Sequence, residues 1–225
     1  MPTITFILNP HLYLRDPQRT DLGQKIIHTS VELIDKLGFE QFTFKKLAEE
    51  IDSTEASIYR YFENKHRLLL YLIGWYWNWL EYRIDLFTNT LSDPEEKIAA
   101  SIKVLAEEKI YDASFEFINE VALHRIVVAE LDKTYLTKQV DSDNKEGLFG
   151  GFKSLCQKIA QWINEVNPAY QFSNSLVSTM LLTANQQVFF GEHLPSLTNI
   201  GKEENRFDKL EGFLKSLVES VIHKK

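Results

Sequence analysis

Between Thr43 and Lys65 the chain reads TFKKLAEEIDSTEASIYRYFENK, two short amphipathic runs separated by a break too brief to hold another element. Phe44, Leu47, Ala48 and Ile51 recur at spacings of three and four, so they share one face of a helix, with Lys45, Lys46, Glu49 and Glu50 outside. Thr43 supplies a hydroxyl that caps it. A helix of about two turns does not persist alone in water, so neighbours must hold it. Asp52-Ser53-Thr54 interrupts the pattern, and Thr54 caps a second helix predicted over 55–61, with Ala56, Ile58 or Tyr59, and Phe62 turned inward. Glu63-Asn64 breaks the chain again, and Asn64 caps a third helix. Two short capped helices around a tight turn form a helix-turn-helix. Lys65, at the first position of the third helix, opposes the helix dipole, so an anion is expected beside it.

A third wall for the two short helices comes from residues 21–37, where Leu22, Ile26, Ile27, Ser30, Val31, Ile34 and Leu37 line one face. Asp21 and Gln24 fit a capping box at its start, and Gly38 fits its C-terminal cap. Ahead of it, MPTITFILNPHLYL is apolar but lacks a basic leading region, and its apolar run stops at Asn9-Pro10, which fits neither a signal peptide nor a membrane span. It is either an arm rooted at Arg15 and Arg19 that lies along a DNA groove or a strap packed on the protein. Ile4, Phe6, Ile7 and Leu8 favour the strap, because solvent does not suit them.

Gly38-Phe39, Thr43, Leu47-Ala48, Ile58-Tyr59-Arg60-Tyr61-Phe62 and Asn64-Lys65, in this order and spacing, resemble the N-terminal DNA-binding domain of the TetR family of bacterial transcriptional regulators. The resemblance covers about the first third of the chain. It implies an all-helical homodimer that binds a palindromic double-stranded DNA operator and is usually released by a small molecule taken up by the C-terminal domain. The residues aligned with the major-groove end of the recognition helix are Glu55, Ala56 and Ser57; those aligned with phosphate or flanking-base contacts are Thr43, Tyr59, Tyr61 and Lys65, with Tyr61 and Phe62 equally readable as core aromatics. Lys45, Thr54 and Arg60 complete the expected DNA-binding set. Hydroxyls and an ammonium suit phosphate oxygens, and a helix N-terminus in the major groove presents its first side chains to base edges. The chain departs from the family at the turn, where Ile51-Asp52-Ser53-Thr54 has no glycine, and at Glu55, a carboxylate that can accept from cytosine N4 but repels the backbone. Residues 20–67 carry seven Lys or Arg against nine Asp or Glu, a net charge of −2. Phosphate neutralisation supplies most non-specific affinity, so bulk DNA should bind weakly and specificity should rest on a few placed contacts.

From Lys65 the pattern changes. Leu68 to Phe87 places apolar groups almost all round a helix, including three of the four tryptophans. Such a helix must be covered on several sides, and the family uses it as a connector between DNA-binding and ligand domains. Further helices are predicted from Pro94, capped by Asp93, to about Tyr111; over 115–131; after an Asp143/Glu146 capping box to before Pro168; over 174–191; and over 205–223. Residues 134–144 read as a surface loop or short helix. Trp75, Trp79, Tyr82, Phe117, Glu120, His124 and Trp162 form the expected effector-pocket set, with core packing as the plainer reading of the aromatics. Glu120 and His124, one turn apart, do not by themselves make a metal site. The stripes of the last two helices, Val177, Leu181, Ala184 and Val188 with Leu210, Leu214, Leu217 and Val221, must be covered by the body or by a second copy. In the family such helices pair the subunits. That pairing would set two recognition helices about 34 Å apart.

The expected architecture is all-α: an arm over 1–19, a three-helix helix-turn-helix domain over 20–66, and a ligand-binding and dimerisation domain over 67–225, with the connector at about 65–90. A single cysteine, Cys156, fits a reducing cytoplasm, and a net charge of −7 does not suit a protein that coats nucleic acid or an anionic membrane. No catalytic group, cofactor, metal or membrane partner is expected. The function expected is a DNA-binding repressor. The alternatives are a helix-turn-helix protein that has kept the fold for protein interaction and lost DNA binding, and an all-α enzyme, for which no nucleophile with its base is apparent.

Overall fold

The computed structural model describes residues 4–115 and 117–223, and among them every regular element is helical. The helices are α1 (Asp21–Leu37), α2 (Phe44–Glu50), α3 (Glu55–Tyr59), α4 (Lys65–Thr88), α5 (Pro94–Ala106), α6 (Glu120–Glu130), α7 (Asp132–Tyr135), α8 (Val140–Lys145), α9 (Gly150–Val166), α10 (Ser173–His193) and α11 (Arg206–Ile222). Contacts divide the chain into two bodies. One holds the chain through Trp77 together with Lys109–Gly151; the other holds Asn78–Glu108 together with Phe152 onward.

In the first body, α1 buries Ile26, Ile27, Val31 and Ile34 against α2 and α6. Its cap is Thr20, one residue earlier than the predicted box: the Thr20 hydroxyl accepts from Gly23 N at 3.1 Å, while Gln24 reaches instead to the Gln18 carbonyl at 2.8 Å. Gly38 ends the helix at φ 76°, where its amide still reaches Ile34 O at 2.8 Å. Thr43 and Thr54 cap α2 and α3 as expected, each accepting from an amide three residues on at 3.2 Å. Without a glycine, the turn between them is made by Asp52 in the left-handed region, φ 52°, at a cost of about 1 kcal/mol. The predicted second helix stops two residues early, at Tyr59, because Tyr61 N and Phe62 N both turn back to Ile58 O and their rings go into the core. Asn64 caps α4 by accepting from Arg67 N at 2.9 Å.

The apolar N-terminal segment is a strap. Phe6 lies edge-on to Trp75 at 5.1 Å and stacked on Phe115 at 5.9 Å; Leu8 and Leu12 are buried; and Leu14 N donates to Tyr61 O at 2.7 Å. Arg15 lies over the Tyr61 ring rather than pointing away as the root of an arm. At the base of the strap, Pro17 packs so tightly on Gly23 that a Cβ there would meet Pro17 O at 2.3 Å.

Helices after α4 also begin or end away from their predicted bounds. The one starting at Pro94 ends at Ala106, since Glu107 is extended at φ −67°, ψ 153°. The one predicted from 115 starts at Glu120, after Asn119, whose side chain caps it by accepting from Ala122 N at 3.1 Å. Residues 134–144 fold as α7 and α8. Asp143 is not a helix cap: it is buried with His66 and Arg67 at 3.4 and 3.5 Å, and the next helix starts only at Gly150.

In the second body, α11 packs on α5 and α10, with Leu210, Leu214, Val218 and Ile222 buried. The second half of α4 buries Trp79, Leu80 and Ile84 and holds α9 through Lys158, 2.7 Å from both Glu81 and Asp85.

Candidate nucleic-acid interface

α3 is anchored by Ile58, which is fully buried, and this leaves Glu55, Ala56 and Tyr59 exposed. Tyr59 is 48% exposed, and its ring stands edge-on to Phe44 of α2 at 5.0 Å, so packing fixes where its hydroxyl points. Thr54 is exposed as well, and its hydroxyl also bonds Ser57 Oγ at 2.9 Å, which leaves Ser57 half-buried. Thr43 and Lys45 of α2, and Arg60 just beyond α3, are exposed. Seven of the ten residues proposed to meet DNA are therefore on the surface formed by these two helices and the residue that follows: Thr43, Lys45, Thr54, Glu55, Ala56, Tyr59 and Arg60.

Tyr61 and Lys65 stand apart from that surface. Tyr61 is only 2% exposed, with its Oη 2.8 Å from Thr20 Oγ1, which makes it an internal tie between α1 and the end of the helix-turn-helix. Lys65 has no need of an external anion: its ammonium donates to the carbonyls of Phe39, Glu40 and Phe42 at 3.1, 3.4 and 3.3 Å. The cation at the helix start is balanced by backbone oxygens of the loop between α1 and α2. The folded loop thus offers this cation three partially negative oxygens in place of an anion.

Other cations of this segment are spent in the same way. Lys25 donates to Ile51 O at 2.9 Å and Lys46 to Gln41 O at 2.8 Å. Arg67 reaches Glu146 at 2.9 Å, Asp143 at 3.5 Å and Glu63 at 3.8 Å. Among the described residues, Lys36, Lys45 and Arg60 are the cations of residues 20–67 whose side chains make no hydrogen bond or ion pair. Exposed Glu49, Glu50, Asp52 and Glu55 surround the turn, so attraction to a polyanion is concentrated in Lys45 and Arg60.

Sequence patterns missed the residues that orient this surface. The Glu130 carboxylate accepts from Phe39 N at 3.0 Å across 91 positions and pairs with Lys133 at 2.8 Å, and Arg125 makes a two-pronged pair with Asp35 at 2.9 and 2.6 Å. Charge alone could have nominated them, but no local spacing names partners so far away.

The expected effector set divides between the bodies. Trp75, Phe117, Glu120 and His124 belong to the first, and Trp79, Tyr82 and Trp162 to the second. Trp75 and Phe117 are core, as is the Glu120 side chain. Tyr76 Oη and His124 Nδ1 share a hydrogen bond of 2.9 Å. Burial, with help from the Lys109 and Arg125 charges, lowers the His124 pKa to about 3, so the imidazole is neutral; burial likewise raises the Tyr76 phenol. Trp162 is partly covered, with Lys97 over its ring at 5.8 Å. Among the described residues no group of three or more His, Cys, Asp or Glu is placed to hold a metal. Burial pushes the Cys156 thiol up to about 12, which makes it a poor nucleophile.

Most of the proposed subunit-pairing stripe is used inside the chain: Val177, Leu181, Ala184, Leu210 and Leu214 are buried where α10, α11 and α5 meet, and Val188, Leu217 and Val221 are half-covered. The 3.5-residue spacing marked a face that must be buried but could not say by what. The outward face of α11 carries Phe213, 43% exposed, which borders an open groove of about 550 Å³ with Gln187, Leu197 and Ile200.

No helix among the described residues is long and apolar enough to cross a membrane. Residues 26–72 match the model of the family described as bacterial regulatory proteins, tetR family. No curated protein matches the sequence significantly. Among solved structures, the fold is similar to that of the ketosteroid transcriptional regulator KstR2 of Mycobacterium tuberculosis, at 12% identity and a TM-score of 0.57, covering 92% of this chain and 97% of that one. It is similar to AibR in complex with isovaleryl coenzyme A and operator DNA, at 13% identity and a TM-score of 0.56, over 87% and 98%. It is also similar to the superantigen PfiT, at 14% identity and a TM-score of 0.59, over 94% and 100%. Residues 26–72 thus carry a helix-turn-helix of the kind described for bacterial regulatory proteins of the tetR family, at the head of an all-helical chain whose fold is shared with these solved structures.

Proposed function

We propose that the chain is a sequence-specific DNA-binding transcriptional regulator that acts as a homodimeric repressor on a palindromic operator and is released when a small molecule binds. The observation that carries this reading is the α2–α3 surface: Tyr59, Thr43, Lys45 and Arg60 are exposed around a recognition helix whose first residues, Glu55 and Ala56, face outward. Hydroxyls, one ammonium and one guanidinium around base-reading positions suit phosphates flanking a major-groove site. AibR, solved with an acyl coenzyme A and with operator DNA, offers a precedent on a similar fold for both ligands.

A second reading has its own support. The net charge of −2 over residues 20–67 and the four exposed carboxylates around the turn favour a protein partner over DNA, and the fold is shared with PfiT, a superantigen. Fold does not fix function. Selecting bound fragments from a random DNA pool with the purified full chain separates the two. Enrichment of a palindrome whose retention falls steeply with salt supports the regulator. A pool that stays random, with no salt-dependent retention, supports the protein-binding alternative.

A further inference from the structure

We propose that the N-terminal strap is a positioning element for the recognition helix, with Phe6 and Leu12 as its anchors. This rests on the DNA-binding reading above, although its structural half can be tested without DNA.

Along residues 4–20 the strap ties three parts of the first body together. At its far end, Ile4 N donates to Ser114 O at 3.2 Å, and Phe6 lies between Trp75 of α4 and Phe115 of the segment before α6. The Gln18 side chain fixes Phe6 from the other side, accepting from its amide at 3.4 Å and donating to its carbonyl at 2.9 Å. In the middle, Asn9 Nδ2 donates to Glu146 O at 2.8 Å, and Leu12 packs beside Gly74 of α4. At its near end, Leu14 N donates to the Tyr61 carbonyl at 2.7 Å, Arg15 lies 5.4 Å over the Tyr61 ring, and Thr20 bonds the Tyr61 hydroxyl. Tyr61 is two residues past the end of α3.

The local forces on α3 are weak. It has five residues, far short of the roughly 12–15 that an isolated helix needs in water, so tertiary contacts must set its orientation. Ile58 anchors one side, and the strap holds the C-terminal exit through both the backbone and the ring of Tyr61. Because the same strap is bound to Trp75, Phe115 and Glu146, the exit of the recognition helix is fixed to α4 and to residues 109–151, rather than to α1 and α2 alone. An element placed this way presents Glu55, Ala56 and Tyr59 in one pose, and a binding surface that need not be ordered at the moment of binding loses less free energy on association.

The test compares hydrogen exchange and DNA retention of the full chain with those of Phe6→Ala, Leu12→Ala, the restoring Phe6→Leu, and Ile7→Ala as a control at a position 99% exposed on the same strap. The expected result is exchange faster by about tenfold at the amides of Ile58, Tyr61 and Phe62 in the first two variants, with α10 and α11 amides unchanged. Phe6→Leu should move back toward the parent, and Ile7→Ala should match it. Retention on a duplex recovered by selection should fall by about tenfold in the variants with fast exchange. Unchanged exchange at those three amides overturns the inference, as does faster exchange spread evenly through the chain, which would make the strap a general stabiliser. If the parent chain retains no DNA, the regulator reading fails while the exchange comparison still decides the positioning role.

Discussion

The Lys65 ammonium sits 4.7 Å over the ring of Phe39 and 3.1 Å from the carbonyl oxygen of the same residue, so one cation holds both the side chain and the backbone of the loop that leads into the helix-turn-helix. This changes what a substitution there means. Lys65→Ala leaves three carbonyls without their donor, and the expected loss is about 1–3 kcal/mol of folding stability. Thermal or urea unfolding checks it. A fully retained midpoint with weakened DNA retention would return Lys65 to the role of a direct phosphate contact.

Tyr59 and Arg60 are expected to behave in the opposite way. Both are exposed, and neither holds the fold through a hydrogen bond or ion pair, so Arg60→Ala should leave stability within about 0.5 kcal/mol of the parent, while Tyr59→Ala, which gives up the edge-on contact with Phe44, should lose about 0.5–1.5 kcal/mol. DNA affinity should fall by about 1–3 kcal/mol. For Arg60→Ala the slope of log affinity against log salt should also shrink by about one, as one phosphate contact is lost. Fluorescence anisotropy across a salt series measures both quantities.

His124 makes stability depend on pH. Its folded pKa, about 3, lies below the value near 6.5 that the unfolded chain restores, so between those limits the unfolded state binds the extra proton. Stability is then complete above pH 6.5 and declines as pH falls toward 3, by up to about 1.4 kcal/mol per pH unit from this residue. Urea midpoints at pH 7, 6 and 5 should fall in the parent and fall less in His124→Gln, which keeps a polar group for Tyr76. Equal slopes in the two proteins would remove His124 as the source.

Two adjacent residues of α11 separate folding from assembly. Leu214 is fully buried and Phe213 is 43% exposed. Leu214→Asp should abolish folding, since it places a charge in the core where α11 meets α5. Phe213→Asp should leave the folded chain intact and shift a homodimer toward monomer, as read by light scattering. Phe213→Asp that stays dimeric would place any subunit contact elsewhere.

What the sequence made legible is whatever depends on neighbours a few positions away. The helix over 21–37 and the caps at Thr43, Thr54 and Asp93 all follow from local chemistry, and the structure has them. The strap was legible too, because Ile4, Phe6 and Leu8 have few ways to avoid water, but Ile7, expected to be covered with them, is 99% exposed. Lys65, Tyr61 and Asp143 have partners that no local spacing could name. Each has a locally sensible partner, an anion, a phosphate or a helix N-terminus, but its actual partner lies 23 to 77 residues away in the fold. The candidate interface was therefore legible where side chains face outward and were chosen by helical spacing. It was not legible where a polar group is satisfied inside the fold.

Gly23 has a use beyond this molecule. It sits within the first turn of α1, where glycine weakens a helix by about 1 kcal/mol relative to alanine, and its space is taken by the backbone of Pro17. A chain bearing any side chain at this place cannot bring its leading segment down at the same angle. One position in an aligned set of relatives thus sorts those able to tether their amino terminus in this manner from those whose leader must run elsewhere.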